Sequence, residues 1–317
     1  MMADNQQIEI VGMNRSAYLR VLIFFLLPAV AIYTLFSIFP LLATIFDSLY
    51  LRHEGGSLTF NGLGNFATLL GDETWSKPFW NAFRNNCLFF LIHMGVQNPI
   101  GLALAALLSL KQLAFRNTYR TLIFMPTMLS VVIIGFIWQL ILSPLWGIWK
   151  MFLGSVGLGF LFGPYLGQES TALITVALIS VWQFVGIPMI LIYTALLAIP
   201  DELVDAATVD GLNQWQTFFY VKLPLIWPTI GLVSVLTFVA NFNAFDLIYS
   251  MQGALAGPNY ATDILGTLFY RTFFGNQLQL GDPTMGATVA TMMFVIILMG
   301  LLAYLYFIQR RIQRYSF

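Results

Sequence analysis

Six stretches of this chain are apolar for about twenty residues or more, the length of helix that crosses the ~30 Å hydrocarbon core of a bilayer. They run over residues 19–46, 87–110, 122–142, 172–199, 226–249 and 285–308. In lipid a helix satisfies its backbone hydrogen bonds within one segment. The sequence therefore predicts an all-α, polytopic membrane protein with six transmembrane helices. Composition leaves little room for another class: 59% of the 317 residues are hydrophobic and 9% are charged, too few polar side chains to clothe a water-soluble globule. Disorder is excluded on the same ground. Lys+Arg and Asp+Glu both number 14, so no net field draws nucleic acid. Cys87 is the lone cysteine and forms no intrachain disulfide or cysteine zinc site; the two histidines are His53 and His93.

Basic residues orient the spans. With both termini in the cytoplasm, that side holds Arg15, Arg20, Lys111, Arg116, Arg120, Lys222, Arg310, Arg311 and Arg314, against Arg52, Lys77, Arg84, Lys150 and Arg271 outside. The expected organisation is a cytoplasmic segment 1–18, a six-span domain 19–308 containing a polar loop at 200–224, and a cytoplasmic tail 309–317. Residues 1–18 lack a signal-peptide layout, so the first span reads as retained. Pro28, Pro40, Pro99, Pro126 and Pro188 lie within spans and predict bent helices packed in a bundle or lining a cavity.

No G-x-x-x-x-G-K, H-E-x-x-H or G-x-S-x-G pattern occurs. Energy for any work must come from another chain or an ion gradient. The anomalous segment is the loop at 200–224, with Asp201, Glu202, Asp205 and Asp210 in close succession. Asp201 after Pro200 reads as an N-cap, Asp210-Gly211 as a stop, and Asn213 as the cap of a second short helix that ends before Pro224. Leu203, Ala206, Ala207 and Phe218 offer an apolar face for a groove on another protein. The residues alone leave docking and a solvated loop equally open.

At this segment the chain resembles the EAA loop of permease subunits in bacterial binding-protein-dependent ABC importers. That pattern is Glu-Ala-Ala, then Gly after three residues, then Ile-x-Leu-Pro after nine; Ala206, Ala207, Gly211, Leu223 and Pro224 fall at those spacings, with Asp205 and Val221 as departures. Leu27-Pro28, Phe39-Pro40, Gly62-Leu63-Gly64-Asn65-Phe66 and Phe245-Asp246-Leu247-Ile248-Tyr249 before Gly257-Pro258 are similar to the carbohydrate-importing, maltose-type branch. Ala256 stands where that branch usually has glycine.

The resemblance implies the type I ABC importer permease fold, of the larger-subunit kind. It implies a non-catalytic subunit without a cofactor of its own, ATP and Mg being held by two partner ATPase subunits. It further implies a second permease, an extracytoplasmic solute-binding protein, a sugar cargo, and residence in a bacterial or archaeal inner membrane. Asp205 would pair with a basic ATPase residue while Ala206, Ala207 and Gly211 permit close approach, with Asp210, Leu223 and Pro224 completing the docking set. Glycerol phosphate or a polyol is the alternative cargo.

Polar groups inside spans mark a pathway. Asn241, Phe242, Phe245, Asp246 and Tyr249 are expected on one face of a continuous fifth span, with Trp182 and Gln183 adding to it from the fourth. Trp138, Gln139, Gln97 and Asn98 are further candidates. Helix packing is the competing role for each of them, and His93 is assigned to packing. An ion-coupled secondary transporter and an intramembrane enzyme are the rival classes; the first lacks mid-span acids and the second a catalytic constellation.

Overall fold

The computed structural model describes residues 15–53, 56–110, 112–276 and 279–306. Lys111, Arg310, Arg311 and Arg314 lie outside them, as do most of segment 1–18 and the whole tail 309–317. Three helices are long and apolar enough to cross a membrane unbroken: Arg20–Asp47, Glu73–Leu108 and Pro283–Tyr304. Three bent pairs supply the others: Arg116–Met128 with Val131–Leu142 at 94°, Glu169–Phe184 with Gly186–Leu197 at 40°, and Gln214–Leu225 with Trp227–Phe242 at 66°. Counting each bent pair as one span gives the six expected. The departure from an all-helical reading is a small antiparallel hairpin, Tyr50–Arg52 with Leu58–Phe60, in the loop after the first span.

Proline decides where these helices continue. Thr34–Ile38, His93–Gln97 and Phe218–Lys222 are single π-turns, and Pro40, Pro99 and Pro224 each follow one of them by two residues. A proline ring crowds the carbonyl four residues back and leaves it without a donor. Those carbonyls belong to Phe36, Gly95 and Tyr220, at the centre of each wide turn, where an i→i+5 pattern relieves the crowding. The helix expected to stop before Pro224 therefore runs on to Leu225. Pro126 acts differently: it sits in a 3₁₀ turn, Met125–Met128, at the corner that turns the chain by 94°.

The expected fifth span is not one helix. Trp227–Phe242 ends where Asn243 leaves helical geometry (φ −97°, ψ 4°), Phe245 adopts φ −154°, ψ −57°, and Asp246–Gln252 forms a separate helix. The second helix, in contrast, begins at Glu73 rather than residue 87, and Asn81 and Asn85 in the part before residue 87 donate to the Tyr260, Ala261 and Asp263 carbonyls of a loop.

Three apolar clusters hold the bundle. One joins Ile134, Val176 and Ile248; a second joins Phe79, Phe242, Leu265 and Val289; a third joins Ala105, Met189, Ile192 and Ile226. Between membrane helices, association depends on close packing, which small residues permit. A Cβ on Gly135 would lie 2.1 Å from Ser250 Oγ, and one on Gly101 3.0 Å from Pro188 Cβ. Gly135→Val therefore overpacks the contact between Val131–Leu142 and Asp246–Gln252. It is expected to cost about 1–3 kcal/mol, read as a lower melting midpoint of the detergent-solubilised protein.

Candidate functional site

A cavity of about 460 Å³ opens in the bundle where Trp227–Phe242 breaks, within the usual range for ligand pockets. Its wall is mostly apolar, with Phe89, Val131, Phe184, Ile187, Leu191 and Leu236 among the lining residues. The polar lining comes from three helices and from the break itself. Glu73–Leu108 supplies His93 and Gln97, Glu169–Phe184 supplies Ser180, Trp227–Phe242 supplies Thr237 and Asn241, and the break adds Asn243 and Asp246.

The π-turn at His93–Gln97 sets His93 and Gln97 on the same wall. His93 Nδ1 donates to the Phe89 carbonyl at 2.8 Å, and Nε2 is hydrogen-bonded to the Ser180 hydroxyl at 2.9 Å. Asn98, one residue beyond, lies 3.2 Å from the Thr237 hydroxyl. Two acceptors in this wall are buried without a partner among the described residues: Gln97 Oε1 and Asn241 Oδ1. A buried carbonyl oxygen left unpaired costs free energy, so both side chains are held there by the packing around them.

The break is held open by its neighbours. Asn86 Nδ2 donates to the Asn241 carbonyl at 2.9 Å, and its Oδ1 accepts from the Leu265 backbone N–H at 2.8 Å. Helix Leu265–Phe274 is thereby tied to the break, and Gly266 allows it to press there, since a Cβ would lie 2.5 Å from the Ala244 carbonyl oxygen. The preceding loop is fixed by a buried bidentate pair, with Arg271 Nη1 and Nη2 at 2.5 and 2.6 Å from the Asp263 carboxylate. Asn85 donates to the Ala261 and Asp263 carbonyls.

The expected pathway residues do not share one face. Asn241, Phe245 and Asp246 line the cavity. Phe242 is buried in the second apolar cluster, with its ring 4.6 Å from that of Phe238. Tyr249 stacks on Phe245 at 5.0 Å without lining the cavity. Helical spacing was the wrong ruler here, because the backbone leaves the helix at Asn243. Trp182 is exposed and packs edge-to-face on Trp138, outside the cavity. Gln183 is fully buried and donates to the Leu129 carbonyl at 3.3 Å, at the 94° corner. His93, assigned to packing, lines the cavity, and Ser180, Thr237 and Asn243 were not singled out. The spacing of His93 and Gln97 ahead of Pro99 was the readable signal.

The polar loop folds into an elbow of Asp201–Val209 and Gln214–Leu225. Pro200, not Asp201, occupies the N-cap. Asp210 is the C-cap, and Gly211 turns the chain at φ +82°, a conformation glycine adopts without strain. Asn213 and Gln216 close a capping box on the second helix. Asp205, Ala206, Asp210, Gly211 and Pro224 are exposed, whereas Leu223 is half-buried and joins the third cluster. Ala207 is buried inside the elbow and Phe218 packs toward the bundle, so neither belongs to the outward apolar face. The large apolar side chains exposed on the elbow are instead Leu203, Val209, Trp215, Phe219 and Tyr220, of which Val209 is 87% exposed and Trp215 stacks on Phe219.

Asn86→Leu leaves the buried Leu265 N–H unpaired, worth about 1–3 kcal/mol, and removes one donor from the Asn241 carbonyl, which keeps the Ala244 N–H. The variant is expected to melt lower than a lipid-facing control, Leu91→Ala, in the same detergent.

The model of the family described as "Binding-protein-dependent transport system inner membrane component" matches residues 97–314. A probable ABC transporter permease protein of Bacillus subtilis, YurN, is 32% identical over 267 residues, 84% of this chain and 89% of its own length. The lactose transport system permease protein LacF of Rhizobium radiobacter is 29% identical over 294 residues, 90% of this chain and 93% of its own. Among solved structures, a chain of a bacterial ABC transporter involved in the import of the acidic polysaccharide alginate superposes with a TM-score of 0.76. Its identity is 22%, and the match covers 94% of this chain and 96% of that one. This likeness concerns the fold.

Proposed function

This chain belongs to the family of binding-protein-dependent transport system inner membrane components, and from that premise we propose that it conducts an oligosaccharide through its central cavity as one permease of an ATP-driven importer. The observation that carries the cargo reading is the cavity wall: apolar and aromatic surface interrupted by the polar side chains of His93, Gln97, Ser180, Thr237, Asn241, Asn243 and Asp246. Sugars present the matching combination of hydroxyl donors and apolar C–H faces. Relatives named for lactose, α-glucosides and arabinooligosaccharides support the same class. Among the described residues, Asp246 is the only carboxylate in the lining, and neither Lys nor Arg appears there. This favours a neutral sugar over glycerol phosphate, and it offers an ion-coupled mechanism little to work with.

The elbow is the proposed ATPase dock. Its outward surface combines Asp205 and Asp210 with exposed Leu203, Val209, Trp215 and Tyr220, a charged and apolar mixture that suits a groove with a basic rim. Ala207, buried, sets the elbow's shape from inside, whereas Gly211 turns the chain at an exposed position with open space beside it. ATP and Mg are held by the partner subunits. A second permease is supported by Arg20–Asp47, whose apolar window is 0% buried by the rest of the chain. A solute-binding protein delivers the sugar on the side opposite the elbow, as a related alginate transporter was solved with an alginate pentasaccharide-bound periplasmic protein. Both termini then face the cytoplasm.

Asp205→Arg and Val209→Glu, both at exposed positions, are expected to lower uptake by about tenfold or more, equivalent to about 1.4 kcal/mol of lost coupling. The protein should remain in the membrane while its ATPase no longer co-purifies. Wild-type uptake with the ATPase still bound would exclude the elbow as the dock.

A further inference from the structure

Three aromatic rings pack in a triangle beside the cavity, and a fourth extends the group into a short row from Phe245 through Tyr270 to Phe274. Phe245, which lines the cavity, has its ring centroid 5.0 Å from Tyr249 and 5.2 Å from Tyr270. Tyr249 and Tyr270 are 5.0 Å apart, and Tyr270 is 5.0 Å from Phe274. The row joins the cavity to the C-terminal end of helix Leu265–Phe274. None of the four belongs to an apolar core cluster: Phe245, Tyr249 and Tyr270 are half-buried, and Phe274 is 64% exposed. Phe242, three residues before Phe245, is 3% exposed and lies wholly in such a cluster.

The support beneath the row is rigid. Gly266 brings helix Leu265–Phe274 against Ala244 and Phe245, where a Cβ would be 3.3 Å from Phe245 Cβ. The Asp263–Arg271 pair and the Asn86 bridge hold the start of the same helix. An accessible row of rings on a fixed support, with hydroxyls at Tyr249 and Tyr270, is costly to leave in water. It offers large amphipathic contact area at low ordering cost.

We propose that Phe274, Tyr270, Tyr249 and Phe245 form a stacking track on which pyranose rings pass between the delivery side and the cavity. The track rests on the reading of this chain as an oligosaccharide permease. The C–H face of each sugar ring lies on an aromatic face while its hydroxyls stay solvated. No single contact is strong, so a sugar moves from ring to ring without being trapped. A longer oligosaccharide spans more of the row and depends on it more.

The test uses the complete transporter with its binding protein in proteoliposomes, and labelled lactose, maltotriose and arabinotriose as probes. Tyr270→Leu and Phe274→Leu, singly and together, should reduce uptake of an imported trisaccharide by about tenfold and that of an imported disaccharide by less. Tyr270→Phe, which keeps the ring, should restore most of the rate. Size-exclusion chromatography of each variant reports whether the complex is intact. Unchanged uptake in the leucine variants overturns the track. Loss of the second permease from the purified complex also overturns it, since the row would then be a subunit contact. Wild-type transporter that imports none of the three sugars refutes the cargo reading itself, separately from the track.

Discussion

A membrane offers no water to a backbone that leaves its helix, so every carbonyl and amide exposed at a break must be paired by another part of the chain. This structure meets that demand with carboxamides. Gln183 donates to the Leu129 carbonyl at the corner after Met128, and Gln139 to the Met251 carbonyl at the end of Asp246–Gln252. Asn86 spans the Asn241 carbonyl and the Leu265 amide, while Gln252 reaches the Leu166 carbonyl. Asn65 caps the Ser48 and Tyr50 carbonyls after the first span, and Asn81 and Asn85 secure the loop at 260–263. Charged groups would carry a larger desolvation cost in these positions. The exception, Asp263 with Arg271, forms a fully paired bidentate contact.

These caps explain why a cavity can exist at all. A continuous helix through residues 243–245 would run Phe245, Asp246 and Tyr249 along the same cylinder as Asn241. The break makes Asp246–Gln252 a separate helix, leaves a gap, and places polar side chains around it. The same helix that ends at the gap begins at the elbow, since Gln214–Leu225 and Trp227–Phe242 form one bent pair. A displacement of the elbow therefore has a direct mechanical route to the cavity wall. In a two-state bundle, such a movement is a rigid-body change rather than a continuous deformation.

Hydrophobicity made the class, the number of spans and their approximate positions readable, because each depends only on matching apolar length to bilayer thickness. The elbow was readable through Gly211 and Asn213, whose local backbone demands are met within a few residues. The breaks were not. Asn243-Ala244-Phe245 contains no proline or glycine, and it leaves the helix because Asn86, Gly266 and Leu265, distant in sequence, accept the deviation. Glutamine and asparagine in spans were legible as polar and costly, but not as caps for particular carbonyls. Phe242 and Ala207 were misplaced for related reasons: one lies on the core side of a bend, the other on the inner side of a turn. Pro40, Pro99 and Pro126 marked irregular turns, whereas Pro28 lies inside the regular helix Arg15–Tyr33, and Pro40, Pro99 and Pro224 widen a helix instead of ending it.

In the proposed mechanism, partner-driven movement of the elbow switches which side of the membrane reaches the cavity. Ala240 lines that cavity and is itself exposed, so a single cysteine there, with Cys87 replaced by alanine, reports access directly. In proteoliposomes holding the complete transporter, a membrane-impermeant thiol reagent is applied from each side with and without a non-hydrolysable ATP analogue. The account predicts labelling from the elbow side without nucleotide, and from the opposite side when nucleotide and loaded binding protein are present. Labelling from the same side under both conditions would contradict it.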